Sequence, residues 1–521
     1  MPKARKNMLA AIHLGSEQVH MEIIQYDNQG QVKILERLTR STTMGEETFK
    51  IGKVSFQSVN EVCNLLKGFK RLINEYRTQE FQLIATTALR EAQNRQYIID
   101  QIKVKTGFDV QVIDMLEEVF LKYKVLFKIL YEQELIDKEE GALFTDITSG
   151  GLGITLYGSG GIQYLQNIHM GTLRIKENFT KKQRESLHFL DVLEEYIYGS
   201  IEVVADAIAN HQVRYLILSG VETQLLLEML KRNNQKNRTN IEIIPLAEFQ
   251  DLYSQVRSKN MVQIMHEFQL TERKAEMALP TLVLYNKIVN LIKTEQIMIP
   301  QVDLVNGMVN DIVEQRTKSK WLNIFNGHIV SCARMLANKY SYYNNHSKFV
   351  EKHALFLFDR LIKLHGYGGR ERLFLQVSSI LHDIGKFVNL RRHYFYSYRL
   401  IISSDIMGFS DEEREIIANI AYYHSKVTPS NNDPNYASLS SEAKVIVSKL
   451  SAILRLADAL DSSHNQKIRD IDVIWKGNHV EILALTNEDI SLEEWTFNYK
   501  ASFFEEVFGL QALVRRKGGI K

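Results

Sequence analysis

The segment MLAAIHLGSEQVHMEIIQY at 8–26 constrains the fold of this chain more than any other. An apolar run ends in the tight turn LGS and resumes as an alternating strand, the pattern of a hairpin whose turn presents backbone N–H groups. The order returns at 141–175, where GALFTDITSGGLGITLYGSG gives a buried strand, a Gly-rich turn and a second strand. One module written twice predicts a duplicated α/β architecture. Further strands at 31–40 and 214–220, strand-to-helix passages at 81–92 and 108–127, and helices at 59–77 and 279–294 complete the two halves. With 296–311 as its closing segment, the duplication divides into modules at 1–127 and 128–311.

From about 318 helical periodicity takes over, as in RERLFLQVSSILHDIGKFV and SKLSAILRLADALDSSH, and predicts an all-α domain over 318–468. The stretches 470–486 and 497–509 read as strands and give a small α+β tail at 469–521. A chain of 521 residues is too long for one core, in keeping with several domains. The 64 Lys+Arg against 62 Asp+Glu leave a net charge of +2, so nothing steers the whole molecule toward DNA or a membrane. Two distant cysteines, Cys63 and Cys332, and no apolar leader or membrane-length run predict a cytoplasmic protein without disulfides.

The glycine turns carry the first candidate chemistry. Gly15 and Ser16, then Ser149, Gly150 and Gly151, then Gly220, each follow a strand end, and two such turns facing each other cradle phosphate with main-chain amides. Arg90, just past a strand, is a bidentate phosphate partner. Asp146, ending an apolar strand before a glycine turn, suits Mg²⁺, which needs few protein carboxylates beside substrate phosphates. Glu117 and Glu118 follow the strand VQVID in the position of a general base toward water.

The helical half carries a second set. His382 and Asp383 are adjacent in LHDIGK, His346 opens HSKFVEKHALFLFD, His424 lies in YYHSK, and Asp458 interrupts an apolar helix. A buried Asp needs a partner, and a metal or an imidazole supplies one. These ligands suit Mn²⁺, Fe or Zn²⁺. The core expected here is His346, His382, Asp383 and Asp458, with His424 and His393 weaker and His353 as packing. Arg391, Arg392, Arg399 and Lys386 form a basic patch nearby.

In order and spacing, IHLGSEQ, TTMGEETFKIGKVS, ATTALREAQN, VIDMLEEVF, DITSGG, NIHMGTLRI and LILSG resemble the motifs of the Ppx/GppA family. That family comprises exopolyphosphatases and guanosine pentaphosphate phosphohydrolases of the actin/Hsp70-like (ASKHA) ATPase fold. The H…HD…D pattern resembles the HD superfamily of metal-dependent phosphohydrolases, an HD-like domain being a frequent C-terminal partner in the family. The resemblance implies Asp146 as metal carboxylate with Mg²⁺, Glu117 or Glu118 as base, and a cleft that takes polyphosphate or guanosine penta/tetraphosphate, in a chain that is often a homodimer. The departures fall at the chemistry: His13 stands where the family has an acidic residue, and Leu152 and Gly153 stand for its hydroxyl and glutamate. Three functions follow in order: phosphoanhydride hydrolysis in the cleft, sensing of a phosphate polymer or alarmone without turnover, and hydrolysis at the HD metal.

Overall fold

The computed structural model describes residues 7–136, 140–186, 188–220, 222–231, 241–342 and 345–517. It divides into two compact units, Met1–Phe325 and Asn326–Lys521.

The first unit holds two sheets built on one plan. Strands β1 (Asn7–Leu14), β2 (Gln18–Tyr26), β3 (Val32–Ser41), β4 (Glu80–Ala85) and β5 (Val110–Val112) lie in the order β3-β2-β1-β4-β5. The second sheet takes β6 (Gly141–Ile147), β7 (Leu152–Gly158), β8 (Gly161–Ile168), β9 (Val213–Gly220), β10 (Ile241–Pro245) and β11 (Gln296–Pro300) in the order β10-β11-β9-β6-β7-β8. In each, an antiparallel meander is extended by a parallel strand beside its first member, β4 on β1 and β9 on β6. β10 is an added edge strand, antiparallel to β11. The duplication legible at 8–26 and 141–175 is this shared topology. β6 is buried at every position, as expected of a central strand covered on both faces.

The helix Met115–Glu132 leaves the first sheet, and its start is fixed by a capping box in which Asp114 accepts from the Glu117 N–H while the Glu117 carboxylate accepts from the Asp114 N–H. The expected division at 127/128 falls inside this helix, whose buried residues lie on both sides of it, Val125, Leu126 and Phe127 before and Leu130 after. The helix Leu304–Thr317 lies at the end of the segment expected to close the second module. It buries Leu304, Val305, Met308 and Val313 with Leu9, Ala11 and Ile24 of the first sheet instead.

The second unit gathers the helices Asn345–Arg360, Gly369–Leu381, His393–Ile402, Asp411–Tyr422 and Ser441–Ala459, then a small sheet of β12 (Asp470–Lys476), β13 (His479–Leu485) and β14 (Gln511–Lys517). The stretch 497–509, expected as a strand, lies instead in a helix, Ser491–Phe508. Its buried residues Phe497, Ala501 and Phe504 are spaced four and three apart, one face of a helix; the run of aromatics imitates strand composition without strand period. Among the described residues, no helix is long and apolar enough to cross a membrane.

Candidate functional site

The first candidate lies in the α/β unit, where the turn after β1, the turn after β6 and the end of β9 surround a cavity of about 340 Å³. Gly15 closes its turn by donating its N–H to Gln18 O at 2.9 Å. Gly220 has φ +123°, and a Cβ there would run into Ile147 O, so only glycine serves. The two facing turns are tied together: Ser149 Oγ donates to Glu17 at 2.9 Å, and Arg273 holds the other oxygen of Glu17 at 2.9 Å.

Of the residues singled out in the sequence, His13, Gly15, Ser16, Glu118, Ser149 and Gly220 line this cavity. Gly150 and Gly151 support the turn from behind, packed against Thr87 and Met115. Arg90 turns inward, donating to Ile113 O and Thr87 Oγ1, both at 2.9 Å, with Glu118 at 4.0 Å. It braces the strand-to-helix corner rather than facing the cavity. Glu117 and Glu118 part company: Glu117 belongs to the capping box, whereas Glu118 is buried at the cavity wall.

The decisive group was not singled out in the sequence. Lys122, one helical turn beyond Glu118, is buried and ion-paired to both Asp146 and Glu118, the latter at 3.4 Å, and its side chain lines the cavity. Burial alone would discharge it, but Asp146 and Glu118 hold its pKa above the usual lysine value. Asp146 also accepts from Ser219 Oγ at 2.9 Å. His13, partly buried beside them, pairs with Thr86 Oγ1 at 3.0 Å, and burial together with Lys122 pushes its pKa down to about 3. It is neutral at physiological pH.

These residues do not fit Mg²⁺. The expected metal carboxylate already holds an ammonium, and the family's second acidic position carries a neutral imidazole. A divalent ion roughly 4 Å from that ammonium would be repelled by on the order of 8 kcal/mol at an effective dielectric near 20. Gly153, standing for the missing glutamate, lies in β7 where a Cβ would come within 2.6 Å of Val119 Cγ2, so the wall is closed to a longer side chain.

The second candidate lies in the helical unit and draws on five helices. His346 sits near the start of Asn345–Arg360, His382 and Asp383 just after Gly369–Leu381, His393 at the start of His393–Ile402, His424 just beyond Asp411–Tyr422, and Asp458 near the end of Ser441–Ala459. His346 Nε2 stands 3.7 Å from Asp383 and 3.2 Å from Asp458, and His382 Nε2 stands 3.5 Å and 3.9 Å from the same two carboxylates. On the other oxygen of Asp383, His393 Nε2 and His424 Nε2 lie at 3.5 and 3.6 Å. Two ligand groups therefore share Asp383: one with His346 and His382, one with His393 and His424.

The imidazoles are oriented from behind. His382, His393 and His424 pair through Nδ1 with the carbonyls of Ser379, Leu390 and Ala421, which leaves the His382 Nε2 lone pair facing inward, while His393 Nε2 and His424 Nε2 hydrogen-bond to each other at 3.2 Å. His346 Nδ1 meets Asp461 at 2.8 Å. His382 Nε2 is buried with no hydrogen-bond partner, a state that costs free energy unless an ion accepts its lone pair, whereas His346 Nε2 faces Asp458 at 3.2 Å. Burial pushes His382 down to about 3, while Asp458 and Asp461 overcome burial to raise His346 to about 9. Lys386 and Lys500 pair with Asp383 and Asp458, so these carboxylates, like Asp146, each carry an ammonium that a metal would displace; Lys386 is 18% exposed and Lys500 is buried. This nitrogen and carboxylate set fits Mn²⁺, Fe or Zn²⁺.

His393 is a full member of the second group, and Asp461, overlooked in the sequence, is the orienting partner of His346. The second Asp of ADALD, three residues past Asp458, was its signal. His353 stays outside, packed on the Phe349 ring at 4.2 Å.

Residues 23–316 match the model of the Ppx/GppA phosphatase family, and residues 330–506 match that of Ppx/GppA phosphatase, domain III. An exopolyphosphatase from Cytophaga hutchinsonii is similar in structure with a TM-score of 0.53 and 19% identity, over 59% of this chain and 98% of that one. The Aquifex aeolicus member of the Ppx/GppA family is similar with a TM-score of 0.50 and 18% identity, over 60% of this chain and 99% of that one. The shared fold is the duplicated, actin-like α/β architecture described above.

Proposed function

The chain belongs to the Ppx/GppA phosphatase family, and from that premise we propose that it hydrolyses phosphoanhydride bonds of inorganic polyphosphate or guanosine pentaphosphate, with the histidine–aspartate centre of the helical unit as the site of hydrolysis. The observation that carries this reading is the convergence of four imidazole Nε2 atoms on Asp383 and Asp458, that of His382 buried with no hydrogen-bond partner. A divalent metal held by these residues supplies a Lewis acid and an activated water, as in metal-dependent phosphohydrolases of the HD type. The chain's own groups do the rest. Asp383 joins the two ligand groups, Asp461 holds His346 in place, and the Lys386 ammonium is placed to meet a phosphate oxygen. The cleft of the α/β unit serves as a binding site for the phosphate chain.

Hydrolysis within the cleft is the second reading, favoured by the position of Glu118 on the cavity wall beside the amide-bearing turns. One assay separates the two. Phosphate release from long-chain polyphosphate and from guanosine pentaphosphate is measured with Mn²⁺ for wild type, Asp383→Ala and Glu118→Gln. Release falling at least ~10³-fold in Asp383→Ala, with Glu118→Gln within about tenfold of wild type, is expected. The reverse pattern would return the chemistry to the cleft.

A further inference from the structure

We propose that Lys122 is a built-in cation of the cleft, occupying the place of a divalent metal, so that the cavity of the α/β unit binds the end of a phosphate chain without metal. The inference rests on the phosphate-chain substrate proposed above but not on where that substrate is cut.

Three observations meet at this residue. Lys122 is buried on the inner face of its helix, with 6% side-chain exposure, and spans Glu118 and Asp146. An ammonium has three N–H donors, so two are taken by carboxylates and the third is left for a group entering the cavity that Lys122 lines. The neighbouring position that would bring a further negative charge to a metal, His13, is an imidazole engaged with Thr86. Charges of two carboxylates and one ammonium leave the wall at minus one, where a metal-loaded site would carry its own positive charge. The attraction for phosphate is then local: the Lys122 donor and the turn amides at Ser16 and Ser149. A donor fixed on a helix is also pre-oriented, which a solvated metal is not.

A plain structural ion pair predicts something different when Lys122 is removed. Without its ammonium, Glu118 and Asp146 become two buried carboxylates facing one gap, the ligand set that a divalent ion fills. Lys122→Met therefore converts the cleft from metal-independent to metal-dependent.

The test is equilibrium binding of fluorescently labelled tripolyphosphate to the full chain, in EDTA and in excess Mg²⁺. Metal lost from the helical unit is common to all variants, and differences between variants isolate the cleft. Wild type is expected to bind within about twofold in the two conditions. Lys122→Met is expected to weaken by roughly tenfold or more in EDTA and to recover in Mg²⁺, and Lys122→Arg to keep metal-independent binding. Wild-type binding that needs Mg²⁺, or absent binding in both conditions, would overturn the proposal. So would a Lys122→Met protein that is folded by circular dichroism and binds as wild type in EDTA. Failure of the hydrolysis reading would show separately, in phosphate release from Asp383→Ala.

Discussion

At the scale of single residues, the two candidate centres differ in what their buried atoms lack. Both have carboxylates paired with lysine, but around Asp383 and Asp458 four imidazoles gather as well, and the buried Nε2 of His382 has no hydrogen-bond partner. The neighbouring sequence motifs gave the histidine centre away and hid the cleft's lysine. HD adjacency, the spacing to His346 and the Asp inside an apolar helix all point to a ligand set from sequence alone. Lys122 sits in EEVFLKYKV, where its spacing of four from Glu118 reads as an ordinary surface pair. Only burial distinguishes it, and burial is a property of the folded neighbourhood. Arg90 misled for the converse reason: a basic residue past a strand end can face the ligand or brace the corner, and sequence does not say which.

His13 makes a prediction at this scale. Its pKa is lowered from 6.5 in the unfolded chain to about 3 when folded. A depressed imidazole contributes stability that is complete above about pH 6.5 and is lost as pH falls toward 3. Between pH 7 and pH 4, wild type is expected to lose about 2 kcal/mol more than His13→Gln, allowing for solvent in the cavity. Urea unfolding of both proteins at the two pH values checks it, and parallel losses would contradict the buried, neutral state.

At the scale of elements, period served better than composition. The strand–turn–strand pairs at 8–26 and 141–175 were legible because alternation and glycine turns report strand geometry directly. The last helix was not, because FNYKASFFEEVF is rich in residues that favour strands. Its burial follows the helical period instead: Phe504 is fully buried, and Tyr499 is 64% exposed. Phe504→Ala is expected to cost about 3–5 kcal/mol and Tyr499→Ala less than about 0.5 kcal/mol in denaturant unfolding. Comparable losses at the two positions would contradict the helix. Module boundaries were hidden for a different reason. Helix Leu304–Thr317 follows the second sheet in sequence yet completes the core of the first, and chain order carries no sign of such a return.

At the scale of the whole molecule, a duplicated α/β unit and a helical unit each bring one kind of phosphate chemistry. The α/β unit offers main-chain amides and a fixed ammonium, which suit binding. The helical unit offers imidazoles and carboxylates with open lone pairs, which suit a metal and the activation of water. The family resemblance implied a metal in each unit, Mg²⁺ at Asp146 and another divalent ion among the histidines, and the imidazole cluster around Asp383 favours the second. The most direct measurement is an anomalous-difference map at the manganese edge, from crystals grown with Mn²⁺ and tripolyphosphate. The account predicts manganese peaks bounded by His346, His382, Asp383 and Asp458 and by Asp383, His393 and His424, with phosphate but no manganese beside Lys122. Manganese on Asp146 with Lys122 displaced, and none among the histidines, would contradict it.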